Sequence, residues 1–388
     1  MVNPLNPAAY SLTPRQGFLF DFGVEGVNFY NRQQKYADGA QTTSRTSYNT
    51  FNFHDIAFQL PLARRLGLGF SLTPYSSVGY RVSADEQSDD VWGNIGRVQY
   101  LYAGEGDLTE VKLGIGWEVV KRVSIGVAAQ YYWGDIERTY QTVVSNNIVN
   151  GGSVNTVTGT DSYGISRIKM QLGLQADLIQ SERQVLTLGA TYDMGGNLRP
   201  SVNQTVVNGD IYGTVVRGDT TRMALKLPVQ LGVGLYYQNA KIAAGVDYIY
   251  QNWENNESPK SVPGAVNVAY KNTNTVKLGF EYTPNRMDIR NYLKRWSYRV
   301  GFRYGTYYQT FEGKTLSQYA VTAGFGMPVR FLGRSSIDFG VEFGQRGNDS
   351  PLRIDNRQIG LVRQRYVKFS LGLTLFGEDS WFVRYKYD

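Results

Sequence analysis

Residues 167–178 read "RIKMQLGLQADL". Ile168, Met170, Leu172, Leu174, Ala176 and Leu178 alternate strictly with Arg167, Lys169, Gln171, Gly173, Gln175 and Asp177. A period of two describes a strand whose two faces meet different surroundings. A half-buried strand of a soluble protein alternates as well. Here, however, the apolar face holds six consecutive positions, and the other face is built of glycine, amide and charge. That combination fits a membrane-crossing strand of about 9 to 11 residues, apolar toward lipid and polar toward a lumen.

The pattern recurs along the chain. Leu227, Val229, Leu231, Val233 and Leu235 oppose Gln230, Gly232 and Gly234. Ile337, Phe339, Val341 and Phe343 oppose Asp338, Gly340, Glu342, Gly344 and Arg346. Val367, Phe369, Leu371, Leu373 and Leu375 oppose Lys368, Ser370, Gly372 and Thr374. Fourteen strands are expected, at 17–30, 51–62, 66–82, 97–118 (with an irregularity near "GEGD"), 123–138, 164–179, 184–197, 223–237, 241–253, 273–283, 296–308, 316–330, 335–346 and 361–376. The connections sort into two kinds. One set is short (63–65, 119–122, 180–183, 238–240, 331–334), with 284–295 the long exception. The alternate set is long and polar (31–50, 83–96, 139–163, 198–222, 254–272, 347–360), with 309–315 the short exception. Short periplasmic turns and long external loops are the asymmetry of an outer-membrane barrel, and an even strand count puts both termini on the short-turn side.

Composition agrees. The chain has 388 residues, 43 of them glycine and 29 tyrosine, with one histidine and no cysteine. Mean hydropathy is −0.34, and no apolar run approaches the ~18 residues of a membrane helix. "MVNPLNPAAYSLTPR" lacks the basic start and apolar stretch of a signal peptide, so the chain is either cytosolic or begins after processing or truncation. Without cysteine there is neither a disulfide scaffold nor a thiolate metal site. The net charge of +7 comes from scattered Lys and Arg, with no basic helix or stripe, which argues against nucleic acid as a partner. Aromatic residues such as Phe29, Tyr30, Tyr80, Tyr131, Trp133, Tyr250, Trp253 and Trp296 collect near strand ends, as at membrane interfaces. Backbone groups in lipid are satisfied only by helices or closed barrels. The expected fold is therefore all-β, a transmembrane antiparallel up-and-down β-barrel of fourteen strands in the bacterial outer membrane, surrounded by lipid and lipopolysaccharide.

Several residues stand out against this frame. Pro74 interrupts the third strand in "SLTPYSSVGY". Every strand of a closed barrel has two neighbours, so a residue without an N–H implies a bulge or kink. Pro74, Tyr75, Ser76, Ser77 and Gly79 form either a lateral opening, the small residues leaving space, or a closed bulge that sets curvature. Asp21, Glu25, Arg167, Lys169, Asp247, Lys277, Glu281, Arg299, Arg303, Asp338, Glu342, Arg346 and Lys368 are expected on the lumen face. Their mixed signs suit a mutually paired network, with Arg299 and Arg303 the best candidates for holding a ligand carboxylate. Parity places His54 with Ile56, Phe58 and Leu60, facing outward, away from any catalytic partner, and no enzymatic activity is expected. A lone histidine cannot build a His or Cys metal site. "ADEQSDD" reads as a solvated loop or a calcium loop. No cofactor is expected.

Taken together, "NPLNPAAYS", "LTPYSSVGY", "YAGEGDLTEVKLGIGW", "YLKRWSYRVGFRY", "GFGMPVR", "FGQRG" and "SWFVRYKYD" resemble the FadL-like (OMPP1/FadL/TodX-type) outer-membrane proteins of the Bacteroidetes. The resemblance covers nearly the whole chain. It implies fourteen strands, an N-terminal hatch with an Asn-Pro-Ala motif, a kinked third strand beside a lateral gap, and passage of hydrophobic molecules. Asn6, Pro7 and Ala8 match the hatch motif. Only about fifteen residues precede the first strand, so most of such a hatch is missing or lies upstream. The implied organisation is a hatch remnant at 1–16, a barrel at 17–376 and a periplasmic tail at 377–388. Two functions follow. One is passive uptake of a hydrophobic small-molecule ligand with lateral exit at the third strand. The other is a non-transporting accessory barrel bound to other outer-membrane proteins in a secretion or barrel-assembly complex.

Overall fold

The computed structural model describes residues 2–13, 17–37, 40–86, 88–145, 154–198, 200–208, 214–217, 221–222, 226–254, 261–262, 266–329, 335–354 and 357–378. Fourteen antiparallel strands form the wall. They are β1 (Gly17–Ala37), β2 (Ala40–Ala63), β3 (Leu66–Asp85), β4 (Arg97–Val120), β5 (Val123–Ser145), β6 (Val154–Gln180), β7 (Gln184–Asp193), β8 (Val229–Asn239), β9 (Ile242–Asn252), β10 (Thr273–Tyr282), β11 (Ser297–Phe311), β12 (Lys314–Val329), β13 (Ser335–Arg346) and β14 (Val362–Glu378). The barrel closes where β1 pairs with β14, from Gly17 opposite Glu378 to Gln33 opposite Val362.

The alternation that suggested lipid on one side is reproduced side chain by side chain. On β6, Ile168, Met170, Leu172, Leu174 and Leu178 are exposed, whereas Gln171 is buried in the interior. Leu113, Ile115 and Trp117 on β4 and Leu231, Val233 and Leu235 on β8 are likewise exposed. An outer surface of contiguous apolar side chains around a closed ladder is stable only against hydrocarbon. No helix among the described residues is long and apolar enough to cross a membrane. At the periplasmic edge Trp296 stacks on Phe325 (centroids 4.9 Å apart), which touches Phe339 at 5.5 Å. These rings form part of an interfacial aromatic girdle.

Several boundaries differ from expectation. Residues 31–50, expected as a loop, mostly continue β1 and β2, which stay paired out to Ala37 opposite Ala40. "QTTSRTS" is polar on both faces because water lies on both sides there, so alternation vanishes although threonine still favours a strand. β5 and β6 likewise extend to Ser145 and back from Val154. The seventh wall strand ends at Asp193 rather than 197. The eighth starts at Val229 in place of 223; Lys226 and Leu227 pair with Asn197 and Gly196 instead. The 309–315 connection shrinks to Glu312 and Gly313, with φ of 47° and 74°, the left-handed pair of a tight hairpin turn. The irregularity near "GEGD" is real: β4–β5 pairing stops at Gly106 opposite Ile136 and resumes at Thr109 opposite Trp133, and Gly106 and Gly134, one at the edge of this gap and one within it, have φ of 121° and 149°. The C-terminal tail beyond Glu378 lies outside the described residues.

Candidate functional site

Residues 2–13 lie inside the barrel at its periplasmic end. Pro7–Leu12 form a short 3-10 helix started by Asn6, whose side-chain oxygen accepts from the Ala8 N–H at 3.0 Å. Pro7 suits that first helical turn because no N–H is required of it. Asn6 also reaches the wall, its Nδ2 donating to the Leu174 carbonyl at 3.0 Å. Ser11 Oγ lies 2.8 Å from Ser124 Oγ. Gln59 Nε2 donates to the Ala9 carbonyl at 3.2 Å and to Thr13 Oγ1 at 2.5 Å. Lys112 Nζ donates to the Pro4 carbonyl and Gln171 Nε2 to that of Leu5. The Val2 N–H donates to Asp21 at 2.5 Å. Asn6, Pro7 and Ala8 are thus all buried at this contact, and Ala8 and Tyr10 have no solvent exposure.

The contact is possible because the wall beneath it is glycine. A Cβ on Gly126 would overlap the Pro7 carbonyl carbon and the Ala8 nitrogen, and one on Gly173 would overlap the Asn6 side chain. On β3 and β4, Gly69 and Gly114 leave room for the Tyr10 ring. Glycine in a strand marks close approach of another backbone. Of these four, periodicity alone places Gly173 on the polar face of its strand. Their clustering on "LGLGF", "LGIGW" and "SIGVA" was the available signal, but a single strand does not say what lies across the lumen.

On β3 a bulge falls between Pro74 and Ser76, with Pro74 opposite Thr109 and Ser76 opposite Leu108. Tyr75, the extra residue, projects inward and packs edge-on against Tyr132 of β5 at 4.8 Å. Pairing of β2 with β3 runs from Ala63 opposite Leu66 to Ile56 opposite Leu72 and goes no further. β3 nevertheless stays with β4 up to Asp85, and β2 stays with β1 up to Ala40. Residues 40–55 and 73–85 therefore each carry a free edge toward the other. An edge is where a strand tolerates proline. Tyr75, Ser76, Ser77 and Gly79 are exposed beside this gap.

The charged residues divide into two groups. Across the lumen from the N-terminal segment, Arg299 donates to Glu281 at 2.7 Å and also to Asp338. Arg303 donates to Glu342 at 2.8 Å, which accepts from Tyr366 as well, and Arg346 lies over the Tyr366 ring. Lys368 Nζ donates to Glu25 at 3.1 Å. Asp247 and Lys277 are cross-strand neighbours. The two arginines considered for a ligand carboxylate thus hold protein carboxylates. Arg167 and Lys169 stand apart. Arg167 donates to the Leu198 carbonyl at 3.1 Å, and Lys169 lies over the Tyr132 ring at 5.5 Å. Near them Leu108, Ile165 and Leu198 form a buried apolar cluster inside the lumen, which sequence parity did not anticipate. A cavity of about 640 Å³ remains, lined by Asp21, Asp247, Lys277, Glu281, Arg299 and Asp338 among others.

His54 departs from its expected position. Gly23 faces Asp55 and Val24 faces Phe53, so His54 is the extra residue of a bulge. Its Nδ1 lies 2.6 Å from Asp55 Oδ1, and its Cβ would be 3.1 Å from a Cβ on Gly23, which stands between the lumen residues Asp21 and Glu25. The bulge breaks the parity that had assigned it to lipid and turns it toward the lumen. Among the described residues its hydrogen-bond partner is this carboxylate, not a hydroxyl. The same residues contain no group of three or more His, Asp or Glu side chains able to hold a metal ion.

Comparison with solved structures places this architecture. A FadL homologue of Pseudomonas aeruginosa is similar with a TM-score of 0.62 at 13% identity, over 95% of this chain and 92% of that one. The toluene transporter TodX of Pseudomonas putida gives 0.58 at 15% identity, over 96% and 92%. The toluene transporter TbuX of Ralstonia pickettii gives 0.53 at 14%, over 96% and 92%. At these identities the likeness is one of fold, and the fold is that of a FadL-like outer-membrane barrel. A search of curated proteins returns no match. The description of the BamG family matches residues 1–388, and the chain belongs to the BamG family.

Proposed function

We propose that the chain is an outer-membrane channel for passive uptake of small hydrophobic compounds, which leave sideways into the bilayer between β2 and β3. The observation that carries this reading is the end of β2–β3 pairing at Ile56 and Leu72, directly before Pro74. Residues 1–16 act as the hatch. Asn6, Pro7 and Ala8 fix its position, so a ligand is turned toward the gap above it rather than straight into the periplasm. Tyr75 and Tyr132 border that exit. The two toluene transporters of like fold favour apolar cargo. The sequence carries no recognisable energy-coupling motif, and movement on this reading is downhill.

The test is transfer of a fluorescent fatty acid into proteoliposomes. Replacing Pro74→Val restores an N–H to β3. Uptake falling with this variant, while heat-modifiable migration of the barrel is unchanged, supports lateral exit. Uptake equal to that of empty liposomes in the unaltered protein refutes the transport reading.

A second reading is an accessory barrel subunit of an outer-membrane complex. It is favoured by the full-length match to the BamG family and by the hydrogen-bonded N-terminal segment and ion-paired lumen. Stable recovery of the chain with other outer-membrane proteins in mild detergent, together with absence of uptake, selects this alternative.

A further inference from the structure

The periplasmic turns are basic. Those at 64–65, 121–122, 181–183, 240–241 and 283–296 read "RR", "KR", "SER", "AK" and "TPNRMDIRNYLKRW". Together they hold ten Lys and Arg against two acids. Arg64, Lys121, Arg183, Lys241 and Arg290 are exposed, and among the described residues none of their side chains pairs with a carboxylate. The 283–296 connection adds an apolar element. Met287 is 84% and Ile289 98% exposed, and Leu293 is also exposed. The C-terminal end of this connection is tied to the lipid-facing wall. The Tyr292 hydroxyl donates to the Pro328 carbonyl at 2.8 Å, and its ring meets Trp296 edge-on at 6.0 Å. Trp296 in turn stacks on Phe325 of the girdle.

We propose that this collar binds the anionic phospholipids of the periplasmic leaflet. Met287, Ile289 and Leu293 enter the acyl boundary, and the cations take the phosphates. Two features choose a leaflet over a protein partner. The cations lie on five successive periplasmic turns from β2 to β11, an arc that a leaflet follows and a single docked protein does not. The exposed apolar side chains adjoin interfacial aromatics, where both an apolar and a charged contact are satisfied at once. Basic groups near an anionic bilayer surface each contribute measurably and are screened by salt. The proposal is independent of what passes through the lumen.

The test uses the full chain in mild detergent, with native mass spectrometry of bound phosphatidylglycerol against phosphatidylcholine of the same acyl chains. The expected result is a preference for phosphatidylglycerol of roughly tenfold at ~0.15 M ionic strength, reduced several-fold at high salt. The variant Arg64→Gln/Lys121→Gln/Lys241→Gln/Arg290→Gln loses that preference while retaining uptake or partner binding. Equal retention of both lipids, or a preference insensitive to salt, overturns the proposal. So does a variant that keeps phosphatidylglycerol but loses binding of poly-glutamate, which would assign the collar to an acidic polypeptide. The salt arm needs no variant and holds even if the substitutions impair folding.

Discussion

Gly126 of β5 lies directly beneath Pro7, so close that a single added carbon would overlap the Pro7 carbonyl and the Ala8 nitrogen. The N-terminal segment is therefore seated on the wall by backbone contact, and its removal must be a concerted event. Its anchors come from β1, β2, β4, β5 and β6, through Asp21, Gln59, Lys112, Ser124, Gln171 and the Leu174 carbonyl.

Gly126→Val is expected to expel residues 2–13 without opening the wall, because the clash is with the segment's backbone rather than a flexible side-chain end. Protease cleavage near the N-terminus and single-channel conductance should both rise, while heat-modifiable migration of the barrel is retained. Gly279→Ala is the control. It also faces the lumen but has no atom within 4 Å of the added carbon, and it should behave as the unaltered chain. Equal behaviour of the two variants would contradict the seating.

Arg299 bridges Glu281 and Asp338. Arg299→Met leaves two carboxylates facing each other in the lumen. Removing one partner of a buried pair typically costs about 3–5 kcal/mol; lumen water reaches this arginine, so roughly 2–4 kcal/mol is expected. The unfolding midpoint in detergent should drop accordingly, and Arg299→Met/Glu281→Gln should recover part of it. No change in midpoint would show the three groups to be independently solvated.

Asp288 in the long periplasmic connection gives a pH dependence. The Asn291 N–H, and with it the Arg290 N–H, donate to its carboxylate at 2.8 and 2.9 Å and hold its pKa below the ordinary value. A depressed carboxylate stabilises the turn above its unfolded pKa, near 3.9, and that contribution is lost as pH falls through the folded value. The amide resonances of Arg290 and Asn291 should therefore shift toward random-coil positions as pH falls below the ordinary carboxylate range. Asp288→Asn keeps an acceptor without a proton to gain, and its turn should be insensitive over the same range.

The wall was legible because lipid and lumen impose opposite demands on alternate residues, and a period of two survives in the sequence wherever both are present. Ile168 and Gln171 could be assigned to opposite sides from spacing alone. The reading failed where that contrast is absent. Residues 40–50 are in water on both faces, and their strand was expected to be a loop. At His54 one extra residue reversed the parity, and an isolated strand carries no mark of the partner residue it lacks. Pro74 announced a break but not which ladder would end there.

By itself, then, the sequence determined the class of molecule, the number of crossings and the faces of most strands, since each follows from local periodicity in a fixed environment. The tertiary structure alone decided that Asn6, Pro7 and Ala8 rest on glycines from four different strands. It alone decided that Arg299 and Arg303 hold protein carboxylates, and that β2 and β3 part after Leu72. These relationships join residues up to more than a hundred positions apart across a lumen, and closure of the barrel is the physical event that brings them together.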